Sequence, residues 1–348
     1  MKNYKKIKAI LAITSGISLF SCTPFTTSCS SKGNIITYGG EEYILADNID
    51  PNIFSTPFPW TVETINGSKL TINNYSLFTS ISLKSCNPSI SVINNHFLTG
   101  CTSLESVNFD GFSYIRYIGD SFLRNCATLE SINLNGLYNV VAIGNGFLDS
   151  CNNPNLTSLD LSGLRNVISV GDGFLFSCSG LRVIDLHQLS KIEIIGSDFL
   201  SDCNHLINID LEPLNKVISI ESGFLSCCTN LKEIDLSPIS KIYGIGDDFL
   251  MCCWDLTKLD LSPLKNIRSI GYNFLTGCYG LKDIILPDKD PASFEVSNKE
   301  KKEGGETHKY YYGFMEDVPE DVVIHCGEYL SNYKTTDPWS DWTSQMKK

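Results

Sequence analysis

Residues Phe249 to Ile270 read FLMCCWDLTKLDLSPLKNIRSI, and this stretch decides the fold because the chain repeats it. Its opening motif, Phe-Leu-x-x-Cys, occurs eight times: Phe97–Cys101, Phe122–Cys126, Phe147–Cys151, Phe174–Cys178, Phe199–Cys203, Phe224–Cys228, Phe249–Cys253 and Phe274–Cys278. Six of the seven steps are 25 residues. The remaining step, 27 residues, follows Cys151, where Asn152-Asn153-Pro154-Asn155 carries two extra residues. A period this regular predicts a solenoid in which each unit stacks on its neighbours.

Within the unit, Leu256, Leu259 and Leu261 give L-x-x-L-D-L. The alternation of apolar and polar residues is that of a strand with one buried face. Stacked coils then build a parallel sheet with a spacing of about 4.8 Å. Two residues before each Phe stand Asn95, Asp120, Asn145, Asp172, Ser197, Ser222, Asp247 and Tyr272. Seven of these can cap a helix N-terminus, so the Phe-Leu-x-x-Cys segment is expected to be a short helix or helical turn packing Phe and Cys inward. The glycine before the cap (Gly119, Gly144, Gly171, Gly196, Gly246, Gly271) suggests a tight turn with positive φ. Glu221 breaks that series.

The unit Ile270-Gly271-Tyr272-Asn273-Phe274 through Cys278 and Leu281 to Ile284-Ile285-Leu286-Pro287 resembles the BspA-like, Treponema-type leucine-rich repeats. The resemblance covers about residues 92 to 287. The tail, Val323-Ile324-His325-Cys326, Tyr329, Tyr333 and Trp339-Ser340-Asp341-Trp342, is similar to the closing segment of such domains. Asp-Leu-Ser-Pro at 235–238 and 260–263 departs from the family's Leu-Pro and bears on the strand-to-turn geometry. The resemblance implies an α/β solenoid, a right-handed coil with a parallel sheet, about eight repeats and divergent caps. It also implies a surface protein of a host-associated microbe that binds host or other extracellular proteins. The competing function is a structural or immune-decoy surface protein with no single ligand.

The expected organisation is a signal segment over 1–21 (or ending at 28), a divergent cap over 34–91, repeats over 92–287, a charged Gly-containing loop over 288–309 and a C-terminal cap over 310–348. Lys2, Lys5, Lys6 and Lys8 precede an apolar run from Ala9 to Phe20. That run reads as an export signal and is too short for an ordinary membrane span. Leu19-Phe20-Ser21-Cys22 resembles a lipoprotein box, with Cys29 as the alternative lipid acceptor. This predicts an exported, lipid-anchored chain on the outer face of the membrane. The net charge is −12, and removing residues 1–21 takes away four lysines and no acids, giving −16. Such a balance argues against nucleic acid and favours a soluble, monomer-like surface protein or one with basic partners.

Fourteen cysteines in an exported chain ordinarily suggest disulfides. Here eight (Cys101, Cys126, Cys151, Cys178, Cys203, Cys228, Cys253, Cys278) fall on one column and are expected to be reduced, buried packing residues. Cys227 and Cys252 instead match each other on neighbouring coils, as a surface thiol pair able to oxidise or hold a soft metal. A zinc site needs four ligands, and the five histidines share no metal-binding or catalytic spacing. Neither a cofactor nor catalysis is expected. The candidate binding face is the polar column between the strand aliphatics, Asp160, Asp185, Asp210, Asp235 and Asp260, with Glu233, Glu212 and His187 beside it. Two accounts of the column compete. It recognises a basic partner, or repeat duplication copied a solvated Asp that bonds the following turn.

Overall fold

A computed structural model describes residues 8–11, 34–38, 41–45, 50–55, 60–64, 69–72, 77–84, 86–303, 306–310 and 313–348. The chain winds as a leucine-rich solenoid whose every coil contributes an L-x-x-L-x-L segment to one face and an Ile-Gly segment to another. Between them runs one continuous apolar core. In the N-terminal cap, Asn34–Tyr38 pairs antiparallel with Glu41–Leu45 and with Phe78–Ser82. Phe78–Ser82 then starts the repeat ladder by pairing parallel with Ser106–Asn108.

The sheet of L-x-x-L-x-L strands is parallel, as expected, and is interrupted in the middle of the repeats. Ser106–Asn108 pairs with Ser131–Asn133, and Lys258–Asp260 pairs with Asp283–Ile285, which pairs with Val323–His325. At these ends a backbone N–H after the polar residue reaches the next coil: Leu83 to Asn108 O, Phe109 to Asn133 O, Leu261 to Ile285 O. Among the described residues, no such bond leaves Leu134, Leu161, Leu186, Leu211 or Leu236. From the coil of Asp160 to that of Asp260, one or two backbone bonds per step hold this face instead, such as Arg182 N–H to Thr157 O at 3.0 Å and Lys232 N–H to Ile207 O at 3.1 Å. The ladder is closed where Asn133 meets Asn108 and where Asp260 meets Ile285, and open at each step where aspartate meets aspartate. Asn133 donates to Asp110 Oδ1 at 2.8 Å. An ionised carboxylate has no proton to donate and repels its neighbour, by about 1 kcal/mol in water.

The Ile-Gly face forms two sheets. Val92–Ile93, Tyr117–Ile118, Ala142–Ile143, Ser169–Val170 and Ile194–Ile195 make one; Gly244–Ile245, Ser269–Ile270 and Glu295–Val296 make the other. The glycines owe their place to close approach, not to the positive φ that the sequence suggested. A Cβ on Gly171 would lie 2.8 Å from the backbone N of Asn145 on the preceding coil, and one on Gly271 would lie 2.5 Å from Asp247 Oδ1. The sheet breaks between Ile195 and the coil of Glu221. Gly196 N–H bonds Val170 O and Gly246 N–H bonds Ile220 O, but among the described residues none joins Glu221 to Ile195.

The Phe-Leu-x-x-Cys segment is not helical. Its backbone alternates in the sign of φ: in one coil Asp198, Leu200 and Asp202 are all at +55° to +63°. The alternation turns successive N–H groups to opposite neighbours. Asp198 and Asp202 donate forward to Ser222 O and Ser226 O, and Leu200 donates back to Phe174 O. The expected N-caps therefore serve between coils. Asn95, Asp120, Asn145 and Asp172 each accept, through Oδ1, the backbone N–H of the equivalent residue one coil later, at 2.8–2.9 Å.

The phenylalanines form a column of near-parallel rings, 5.2–5.3 Å apart from Phe97 to Phe174 and 5.6–6.1 Å apart from Phe174 to Phe274. The column continues past the eighth repeat to Phe314, 5.7 Å from Phe274. Gly313 and Met315 repeat the positive φ of the other coils, so Phe314 begins a ninth, degenerate unit. Trp339 closes the column edge-on, 4.8 Å from Phe314. The charged segment expected as a loop holds the strand Glu295–Val296 and an antiparallel hairpin, Lys299–Glu303 with Glu306–Tyr310.

Candidate binding face

Each aspartate of the polar column holds the turn that follows it. Asp160, Asp185, Asp210, Asp235 and Asp260 accept through Oδ1 the backbone N–H two residues on, at 2.8–2.9 Å. Asn108 and Asn133 do the same. The bond sets the short 3₁₀ turn (Ser162–Leu164, His187–Leu189, Glu212–Leu214, Ser237–Ile239) that returns the chain to the core. It leaves Oδ2 free to act outward. The first four aspartates are exposed and Asp260 is half-buried.

The open ladder and the acids coincide. A groove of about 870 Å³ lies across three coils, lined by Asp210, Glu233, Asp235 and Asp260, with Lys232 and Lys258 at its sides. Ile209 and Ile234 form its floor and are slightly exposed, whereas Leu259 and Ile284, beneath the closed ladder, are fully covered. Asp160 and Asp185 lie outside the groove. Glu212 is exposed at the start of its turn. His187 spans two coils, with Nδ1 2.8 Å from Asp185 Oδ1 and Nε2 3.5 Å from Asp210 Oδ2. Its hydrogen bond to Asp185 raises the imidazole pKa. The His187 N–H groups, the backbone one first, lower that of Asp185. Bonds from the Ser237 side chain and backbone lower that of Asp235.

The eight column cysteines are fully covered. Seven donate Sγ–H to the carbonyl of a Leu one coil back, as Cys203 does to Leu175 O at 3.3 Å and Cys126 to Leu98 O at 3.2 Å. Burial pushes the Cys203 and Cys278 thiols up to about 12. Cys227 and Cys252 are half-exposed. Cys22 and Cys29 lie outside the described residues. Among the described residues, no group of three or more His, Cys, Asp or Glu is placed to hold a metal, and no helix is long and apolar enough to cross a membrane.

The sequence reading missed a second surface. Tyr117, Ile168, Ile194, Ile218 and Tyr243 are exposed along the outer side of the Ile-Gly face. The signal was available in the residues just before each Ile-Gly pair, which are apolar more often than a solvated strand face requires.

Residues 47–155, 70–206 and 148–282, together more than half of the chain, match the profile of the BspA type leucine rich repeat region, in six copies. The chain belongs to that family. No curated protein matches it. Among solved structures, it is similar to a leucine-rich-repeat protein of T. pallidum (19% identity, 65% of this chain and 90% of the other, TM-score 0.41). A leucine-rich cell surface protein from Faecalibacterium prausnitzii A2-165 shares 14% identity over 75% of this chain and 85% of the other, TM-score 0.25. The pneumococcal vaccine antigen PcpA shares 12% over 90% and 85%, TM-score 0.29. For this BspA-type chain, the repeat geometry and the family profile agree on the coil.

Proposed function

We propose that this chain is a monomeric, surface-held binding protein that takes a basic segment of an extracellular protein partner on its acidic face. The observation that carries the reading is the groove at Asp210, Glu233, Asp235 and Asp260. Exposed carboxylates and a slit of aliphatic floor meet there with backbone groups freed by the open ladder. Such a face offers charge, apolar contact and hydrogen bonding over several coils, and its charge steers a basic partner. An array of extracellular proteins probed with the full mature chain tests this. Capture should favour basic proteins and fade as salt rises. Capture indifferent to salt would place recognition on the apolar Ile-Gly face instead.

The same proposal includes the anchor. The N-terminal lysines, the short apolar run and Leu19-Phe20-Ser21-Cys22 support export and lipidation at Cys22, with Cys29 as the alternative. Metabolic labelling with a palmitate analogue should mark the protein, and Cys22→Ser should abolish the mark. Loss only with Cys29→Ser moves the site; an unlabelled wild type ends the lipoprotein reading.

A further inference from the structure

Of the twelve cysteines described, ten are buried and two are not. The two are Cys227 and Cys252, one coil apart at the same position of the repeat. In other coils that position holds Ser150, Ser177 or Asp202, all with positive φ like the cysteines themselves. The register between coils is tight here. Cys227 N–H bonds Met251 O at 2.6 Å, and Cys252 N–H bonds Thr276 O at 2.7 Å.

The following coil has Gly277 at this position, which allows the spacing to be measured. A Cβ built on Gly277 would lie 3.1 Å from Cys252 Sγ and 3.6 Å from Cys252 Cα. Equivalent register sets Cys252 against Cys227 in the same way. In a disulfide, each Cβ lies about 3 Å from the far sulfur, as follows from an S–S bond of about 2.05 Å. The backbone register thus already holds the two side chains at bridging separation.

We propose that Cys227 and Cys252 are a modification site: a reversible disulfide staple between neighbouring coils, formed by exchange with a small-molecule disulfide. One thiolate attacks the small disulfide, forming a mixed disulfide and releasing one small thiol. The second protein sulfur attacks the protein sulfur of that mixed bond and releases the other small thiol. Two protein S–H groups and one disulfide become one protein S–S bond and two small thiols, a balanced two-electron exchange. The column cysteines take no part. Cys228 and Cys253 are covered and hydrogen-bonded to Leu200 and Leu225. Burial raises the Cys227 thiol, with Cys252 adding to the effect, so exchange quickens as pH rises. The staple joins the coils of Asp235 and Asp260, whose own ladder is open. It is independent of any partner at the acidic face.

The test incubates the full mature chain with oxidised glutathione at alkaline pH, blocks remaining thiols and maps tryptic peptides without reduction. Cleavage after Lys216, Lys232, Lys241 and Lys258 puts the two cysteines on separate peptides, 217–232 and 242–258. The expected product joins those peptides and is lighter by two hydrogens. Cys252→Ser, a residue this position already accepts at 150 and 177, should leave Cys227 as a stable mixed disulfide with glutathione. A bridge inside one peptide (Cys227 to Cys228), two separate mixed disulfides, or thiols that stay free in the wild type would each overturn the proposal.

Discussion

Replacing Gly171 by Ala should destabilise the chain, while replacing Glu221 by Ala, at the same position of the repeat two coils on, should not. Gly171 does not have positive φ, so Ala fits its backbone, and the obstacle is proximity alone. The new Cβ would meet Asn145 N and Gly144 C at 2.8 Å, backbone atoms that no side-chain rotation can move aside. The coils must part. Parting them strains the Gly171 N–H bond to Ile143 O, the Asp172 N–H bond to Asn145 Oδ1 and the pairing of Ser169–Val170 with Ala142–Ile143. Three such bonds at about 0.5–1.5 kcal/mol each give a loss of about 1.5–4.5 kcal/mol. Ala lowers the entropy of the unfolded chain relative to Gly and offsets about 0.4–1 kcal/mol of that. The net cost is therefore about 0.5–4 kcal/mol. At Glu221 the sheet is already open and the side chain is exposed, so its change to Ala should stay within about 0.5 kcal/mol. Urea unfolding gives the stabilities, and hydrogen exchange at the amides of 171 and 172 reports the local ladder. An Ala variant at 171 with wild-type midpoint and protected amides would refute the close-approach reading.

Three further outcomes follow from the same geometry. Cys203→Ala should cost about 1–2 kcal/mol, from a small cavity and a lost bond to Leu175 O, and Cys203→Ser should recover part of it; the column thiols should resist native alkylation and react after denaturation. The triple change Asp185→Asn, Asp210→Asn and Asp235→Asn keeps an Oδ1 for each turn, so stability by urea titration should hold or rise by a few tenths of a kcal/mol. Exchange at the Leu186 and Leu211 amides should slow, and binding of a basic partner should weaken and lose its salt dependence; an unfolded variant would show that the charge itself holds the turns. Because Asp185 raises the His187 pKa, the bond between them contributes fully below the unfolded imidazole value of 6.5 and is lost as pH rises through the higher folded value, and Asp185→Asn should bring an NMR titration of the ring back toward 6.5.

The coil was legible because a period of 25 residues leaves a chain few ways to bury Phe, Leu and Ile at fixed positions. The outward aim of Asp160 through Asp235 followed from strand alternation. What the sequence hid were relations between coils. The Asn and Asp residues before each Phe resemble helix caps in one dimension, and only stacking shows that their acceptors serve the next coil. The Ile-Gly glycines look like turn residues until the neighbouring backbone is seen at 2.4–2.9 Å. The Gly304-Gly305 pair between charged runs was a usable hairpin signal, outweighed by the charge around it. The ninth unit escaped because Val318 stands where a Cys marked the others.

The phenylalanine column carries a consequence for how this chain finds its shape. Ring on identical ring, each coil offers its neighbour nearly the same surface, so a coil displaced by one full unit meets an almost equally good partner. The interior of the stack therefore supplies cohesion without an address. The address comes from what occurs once: the antiparallel strands at Asn34–Leu45, the insertion at Asn152–Asn155 and the Trp339 lid on Phe314. Loss or gain of a whole 25-residue unit between those landmarks would shorten or lengthen the rod and leave both ends sealed. A change in the landmarks themselves would leave every coil well packed and the count of coils unpoliced.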